Sequence, residues 1–268
     1  MKFYKYCGAG NDFVLLENFD GALTDYPALA KRLCDRHFSV GADGLIVLEP
    51  AQHGADCRMR FYNNDGSAAE MCGNGVRCLC RHCYERGLSG EMQRIETPAG
   101  LVTGQRIDAD HYRIELNTPS VVRLQMVAED VLCDYLVLGE SGIPHAVAPM
   151  PELTGATLKD FAARLRFSTA FPGGANVNLW RKTGDNALYL RTYERGVEDF
   201  TLACGTGTGA TVAALTRRGL VSGKQTQVQT DGGLLTVDIE GERIFLTGPA
   251  VCTFTGEIVG ESWRRACQ

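Results

Sequence analysis

Two cysteines open the same short pattern. Met71-Cys72-Gly73-Asn74-Gly75-Val76 is followed, 132 positions on (204 minus 72), by Ala203-Cys204-Gly205-Thr206-Gly207-Thr208. Each precedes a segment of helical pattern, Gly73 to Glu85 and Gly207 to Arg218, so each thiol stands where unsatisfied N–H groups and the positive end of a helix dipole converge. That setting lowers a thiol pKa and makes the thiolate accessible near neutral pH. The neighbouring glycines let backbone approach a ligand and leave amides to hold an anion. Two such helix ends make a carboxylate clamp. With the α carbon of the held acid between the thiols, one thiolate removes its proton while the opposite thiol protonates the other face, and the stereocentre inverts.

An α proton is only weakly acidic. A helix end contributes about 0.3–2 kcal/mol, against roughly 8 kcal/mol or more that enzymes supply, so preorganised dipoles, water exclusion and domain closure must provide the rest. No lysine lies between Lys31 and Lys159, and none has a Schiff-base context. Pyridoxal phosphate is not indicated, and no cofactor is expected. Thiols close enough to share one carbon could also join under oxidation; a Cys72–Cys204 disulfide reads as an inactivated form, not a redox function.

The repeat extends past the cysteines, as internal self-similarity must before it can define an architecture. Arg86-Gly87-Leu88 and Arg218-Gly219-Leu220 follow at one offset, then Thr97, Gly100 and Thr103 against Thr230, Gly233 and Thr236 one residue out of step. Arg113-Ile114-x-Leu116-x-x-Pro119 matches Arg243-Ile244-x-Leu246-x-x-Pro249, and Gly41-Ala42-Asp43 echoes Gly174-Ala175-Asn176. Short helices repeat as well. Tyr26, Leu29, Ala30 and Leu33, with Thr24 as cap, form one apolar stripe, as do Leu158, Phe161, Ala162 and Leu165 from Thr157.

Leu45–Leu48 and Met59–Tyr62 read as strands, with a turn at Asn63-Asn64-Asp65-Gly66-Ser67. The expected fold is α+β, in two pseudo-symmetric domains, each a mostly antiparallel sheet wrapped around a central helix. Residues 1–117 make the first, with 253–268 crossing back to it, and 118–252 the second; the residues after 253 show no counterpart in the first copy.

The 268 residues carry net charge -5, with 27 Lys and Arg scattered along the chain. Nothing forms the basic stripe that nucleic acid requires, and no apolar run approaches membrane-spanning length. A small-molecule partner and a cytoplasmic location are expected, with no nucleic acid and no membrane. Eleven cysteines without a secretory signal read as thiols. Cys7, Cys34, Cys57, Cys133, Cys252 and Cys267 are read as packing or surface thiols. Cys78, Cys80, His82 and Cys83 imitate a metal cluster, but they fall within one helix, where only positions three or four apart share a face. No metal is expected.

Gly10-Asn11-Asp12-Phe13, Asn63 with Asp65-Gly66-Ser67, Cys72-Gly73-Asn74-Gly75, Pro144-His145, Ala175-Asn176, Tyr193-Glu194-Arg195-Gly196 and Ala203-Cys204-Gly205 occur in the order and approximate spacing of diaminopimelate epimerase. The chain resembles that family over nearly its whole length. The resemblance implies a cofactor-independent epimerase acting on LL-diaminopimelate, a homodimer, and an active site in the cleft between two domains. It makes Cys72 and Cys204 the proton donor and acceptor, exchanging roles with direction. Amides of Gly73, Asn74, Gly205 and Thr206 would hold the reacting carboxylate; Asn11, Asn63, Asn176, Glu194 and Arg195 match substrate contacts, and His145 joins them as an active-site residue. Arg195 is the natural fork for a distal carboxylate.

Two positions depart from the family's usual pattern. Ile143 stands before Pro144-His145 where many members have Asn, and Gly44 where some carry Gln. Ile143 leaves open a racemase of another amino acid, such as histidine, with the same chemistry. A non-catalytic amino-acid sensor is the reading from a different class, against which both retained cysteines argue.

Overall fold

The computed structural model describes residues 1–140 and 142–259; Cys267 and the end of the expected C-terminal return lie outside them. The chain divides into two compact units, Met1–Ile114 with Gly248–Gln268, and Glu115–Thr247.

In the first unit, strands pair in the order Val251–Glu257, Lys2–Gly8, Asn11–Glu17, Gly44–Glu49, Cys57–Asn63, Met92–Thr97, Gly100–Arg106, His111–Leu116. The second runs Pro119–Ala128, Val131–Leu138, Ile143–Pro149, Asn176–Gly184, Ala187–Glu194, Thr226–Thr230, Gly233–Glu240, Arg243–Pro249. Parallel pairings fall at the same two places, third with fourth and fifth with sixth. The remaining ladders are antiparallel, so the fold is the expected α+β one. Val251–Glu257 takes the place in its ladder that Pro119–Ala128 takes in the other, which gives the residues after 253 the counterpart that sequence comparison does not find.

Among the described residues four helices accompany the strands: α1 Tyr26–Leu33, α2 Gly73–Glu85, α3 Leu158–Arg166 and α4 Gly205–Arg217. The cap of α1 is Asp25, not Thr24; its carboxylate accepts from the Ala28 amide at 3.1 Å. Leu29, Ala30 and Leu33 of α1 pack with Val14, Leu16, Leu45 and Val47. Ile46, of opposite parity on its strand, lies against α2 beside Gly75. These strands are covered on both faces, which is why Phe13–Leu16 and Leu45–Leu48 are continuous apolar runs at 1% exposure or less. In the second unit α3 packs with Ala148, Val177 and Leu179, while Asn178 and Thr192 approach α4 at Gly207.

The repeated motifs are structural devices. Gly87 and Gly219, both at φ +68°, close α2 and α4 with six-to-one bonds from Leu88 to Cys83 at 2.8 Å and from Leu220 to Leu215 at 2.9 Å, the Schellman arrangement that favours glycine. Thr97 and Thr230 each donate a hydroxyl to the carbonyl of the glycine three residues on, at 2.8 Å, fixing the same two-residue hairpin turn.

Gly44 is required by packing. A Cβ there would lie 2.6 Å from the Phe61 ring and 2.8 Å from the Tyr62 carbonyl oxygen, and the backbone atom cannot rotate away. Gly44→Gln should therefore cost about 1–3 kcal/mol, seen as a lower urea midpoint. Gly90→Ala, where nothing lies within 4 Å, should stay within about 0.5 kcal/mol.

Candidate active site

Each cysteine is the N-cap of its unit's 13-residue central helix. α4 begins at Gly205, two residues before the expected start, so Cys204 caps it directly. Both caps are extended, Cys72 at φ -135°, ψ 110° and Cys204 at φ -116°, ψ 112°. Their carbonyls accept from Val76 and Thr208 at 2.8 and 2.9 Å, which starts the helical ladder and leaves opening-turn amides without intrahelical acceptors.

The first unit gathers Asn11, Asn74 and Cys72. Asn11 Oδ1 accepts from Asn74 Nδ2 at 3.4 Å and faces Cys72 Sγ at 3.7 Å. Its amide nitrogen donates to Asp43 at 2.7 Å, which settles the orientation of the side chain. Asp43 in turn is held by Arg36 at 2.7 Å, and Arg36 and Lys5 both bind Asp12. Burial works to raise the Asp12 carboxyl, but those two cations outweigh it and bring the pKa down to about 2. The hairpin that carries Asn11 comes close to the helix: a Cβ on Gly8 would lie 3.0 Å from the Asn74 carbonyl oxygen. Asn63, at the end of its strand, donates to Ser67 Oγ at 2.9 Å.

In the second unit Cys204 is 7% exposed. Its sulfur accepts from the Gly207 amide at 3.4 Å and lies 3.5 Å from Thr206 Oγ1. Under this turn lies Asn178, fully buried, whose oxygen accepts from Thr192 at 2.9 Å and occupies the space a Gly207 side chain would need. Asn178 Nδ2 reaches the Ala146 and Asn176 carbonyls and lies 3.3 Å from His145 Nδ1. His145 itself has no exposed surface. Asn176 spends its amide on backbone, donating to the Pro144 carbonyl at 3.2 Å and accepting from the Arg195 N–H at 2.8 Å. It thereby ties the Glu194-Arg195 turn to the His145 strand. Glu194 accepts from Thr201 at 2.9 Å, and Arg195 is exposed.

The structure thus brings Asn11, Cys72, Gly73 and Asn74 together in one unit, and His145, Asn176, Glu194, Arg195, Cys204, Gly205 and Thr206 in the other, with Asn63 near the first group's supporting strands. Sequence reasoning missed Asp43 and Asn178, which orient the named residues. Asp43 was marked only by its place in a repeated Gly-Ala-Asp/Asn pattern, and Asn178 by being polar within the apolar run Val177-Asn178-Leu179-Trp180. Cys78, Cys80 and Cys83 are buried within α2, with Cys83 Sγ 3.0 Å from Cys57 Sγ, while His82 sits between Tyr6 and Glu17 at 3.2 and 2.9 Å.

The sequence profile of diaminopimelate epimerase matches residues 3–123 and 137–253. A diaminopimelate epimerase of Methanothrix thermoacetophila is 40% identical over 275 residues, covering 97% of each chain, and one of Archaeoglobus fulgidus is 38% identical over 269 residues, covering 95% of each. Among solved structures, a probable proline racemase from Agrobacterium radiobacter matches with TM-score 0.73 at 18% identity, over 96% of this chain and 92% of that one. A phenazine biosynthesis protein from Bacillus anthracis matches with TM-score 0.72 at 17% identity, over 97% and 99%. These two share the fold.

Burial, reinforced by the charge of Arg195, pushes the His145 pKa from 6.5 down to about 3. The folded protein keeps the ring neutral where the unfolded chain protonates it, so stability from this group is present above pH 6.5 and lost as pH falls. Roughly 2 kcal/mol should disappear between about pH 6 and pH 4. His145→Gln should flatten that part of the stability-versus-pH curve; an unchanged slope would mean that the ring protonates in the folded state.

Proposed function

The chain belongs to the diaminopimelate epimerase family, and from that membership we propose that it inverts one α carbon of LL-diaminopimelate to give the meso isomer, for lysine and cell-wall precursor synthesis, without a cofactor. The chain is an isomerase by family. The observation that carries the mechanism is the pair of thiols at the N-caps of the two central helices.

One cysteine, as thiolate, takes the α proton. The electron pair of the C–H bond stays on the α carbon and is delocalised into the carboxylate, which the opening-turn amides of Gly73, Asn74, Gly205 and Thr206 stabilise. The other cysteine delivers its proton to the opposite face, so the carbon inverts and the two sulfurs exchange protonation states. In the reverse direction Cys72 and Cys204 exchange roles. Asn11, Asn63 and Glu194 contact the substrate's polar groups, and the exposed Arg195 takes the distal carboxylate. His145 and Asn176, proposed as binding residues, act from beneath: their partners are Asn178, the Pro144 carbonyl and the Arg195 backbone.

The reading extends to a cytoplasmic homodimer. No helix among the described residues is long and apolar enough to cross a membrane. Pro119–Ala128 leaves Val122, Leu124 and Val127 exposed on a strand whose ladder partner is Val131–Leu138, an apolar face that a second copy would cover. Sedimentation should return twice the chain mass.

Proton NMR in deuterated water, with reductant, tests the reaction and the substrate together. LL-diaminopimelate should lose its α-proton signal and the meso isomer should appear. Exchange confined to L-histidine would overturn the substrate and direct attention to Ile143. Cys72→Ala and Cys204→Ala should each lower the epimerisation rate by roughly 10²- to 10⁴-fold while the urea midpoint stays close to that of the parent.

A further inference from the structure

Glu194 and Arg195 stand on a turn that leads from the strand Ala187–Glu194 into Asp199–Thr201, its antiparallel partner. The Glu198 amide closes the turn by donating to the Glu194 carbonyl at 2.9 Å. Gly196 has φ +93° and Glu198 φ +57°, and a non-glycine residue in the left-handed region persists only where its surroundings hold it. Arg195, Gly196 and Val197 are all exposed. The tip of the turn therefore has no apolar packing to fix it, and its shape depends on polar bonds at its base.

Those bonds converge on the last residue of α3. Arg166 is 8% exposed, and its Nη2 donates to Glu198 Oε1 at 2.9 Å. The same oxygen accepts from the Gly196 amide at 3.0 Å. On its other side the Arg166 carbonyl accepts from the Ala175 amide at 3.3 Å, and the next residue, Asn176, accepts from the Arg195 amide at 2.8 Å. One residue thus reaches both supports of the turn. The fit around it is close: a Cβ on Gly174, which has φ +73°, would lie 2.6 Å from the Arg166 carbonyl oxygen and would run into its guanidinium. In the first turn of the same helix, Lys159 pairs with Asp199 at 2.6 Å, so α3 grips two consecutive residues where the turn ends.

The first unit is built the same way with different side chains. There the carbonyl of Cys34, which caps the end of α1, accepts from the Ala42 amide at 3.0 Å, and Arg36, two residues on, binds Asp12 and Asp43. Asp43 holds the Asn11 amide. The repeated Gly41-Ala42-Asp43 and Gly174-Ala175-Asn176 segments therefore mark where the end of an outer helix docks, and in each unit an arginine at that end braces a residue expected to meet substrate.

We infer that Arg166, acting through Glu198, is a positioning residue for Arg195, holding the turn in the shape that sets the Arg195 guanidinium for the distal carboxylate of the substrate. The inference rests on the epimerase reading for the identity of that ligand. A turn shaped before binding spares the cost of ordering it on binding. Arg195 acts away from the carbon that inverts, so the benefit lies in substrate binding and not in proton transfer.

The test combines steady-state epimerisation of LL-diaminopimelate with amide hydrogen exchange of the substrate-free protein. Arg166→Met should raise KM roughly tenfold while kcat stays within about threefold, and Arg166→Lys, a single charge without the planar fork, should recover part of the loss. In an Arg195→Met background the same Arg166→Met change should leave KM almost unaltered, because the group it positions is gone. In the parent the Arg195 and Gly196 amides should exchange slowly for so exposed a turn, and Arg166→Met should speed both. A structural role alone would lower the urea midpoint and the active fraction without moving KM. An unchanged KM, an equal rise in KM with and without Arg195, or unchanged exchange at both amides would each overturn the inference. Glu198→Ala cuts the pair at its more exposed end, should give the same KM rise and faster exchange, and decides the matter if Arg166→Met does not fold. Absence of α-proton exchange from diaminopimelate in the parent would sink the epimerase reading, while amide exchange would still decide whether Arg166 holds the turn.

Discussion

A helix buried at its N-terminus must satisfy or expose its first amides, and both units bury one. Serine, threonine, aspartate or asparagine would close such an end with a side-chain oxygen, worth about 1 kcal/mol over a non-capping residue. Cysteine does this poorly. Cys72 makes no side-chain capping bond, and the Cys204 bond to Gly207 spans 3.4 Å. Cysteine therefore forgoes part of the capping that an oxygen side chain would supply, and in the proposed reaction a substrate carboxylate would complete the opening turns. Stability is given up at the point where binding is needed.

The rest of each unit supports that turn. Glycine lowers helix propensity by about 1 kcal/mol per residue, and α4 begins Gly-Thr-Gly-Thr-Gly, so the segment would be a marginal helix by itself. Burial holds it. Gly207 and Gly209 are small because Asn178, Leu116 and Ile244 stand where side chains would project, and Gly87 and Gly219 stop the two helices with the same cap. The wrapped sheet fixes the helix, and the helix fixes the direction of its opening amides.

Much of this was legible because the repeat was written in residues with strong local consequences. Arg-Gly-Leu at one offset is a helix cap, Thr-x-x-Gly is a hairpin turn, and Cys-Gly marks a helix start. The first strand of each ladder was not legible. Pro119–Ala128 and Val251–Glu257 are largely exposed, so neither carries the buried alternation that identifies a strand. The start of α4 was placed two residues late because Gly205 and Thr206 have weak helix propensity, and only their burial in the fold makes them helical. Asp25 and Thr24 are both good caps by type; backbone geometry chose between them. Asn178 and Arg166 escaped notice for one reason: each is a polar residue whose burial depends on segments far away in sequence, and in sequence alone a charge on a helix reads as solvated.

Duplication supplies two equivalent frames, but a proton-transfer pair does not need equivalent groups. It needs one base and one acid in each direction, with opposite protonation at the outset. Two thiols in identical surroundings would share a single proton evenly, and half of the resting enzyme would then present the wrong face to a given isomer. The surroundings of the two sulfurs differ while the strand order stays unchanged: Cys72 Sγ donates toward the Asn11 oxygen at 3.7 Å, whereas Cys204 Sγ accepts from the Gly207 amide at 3.4 Å. Ile143, which departs from the family's usual pattern, pairs with Leu138 as Asn11 pairs with Gly8, so the second unit carries an apolar side chain at the ladder position where the first carries the amide that faces its cysteine.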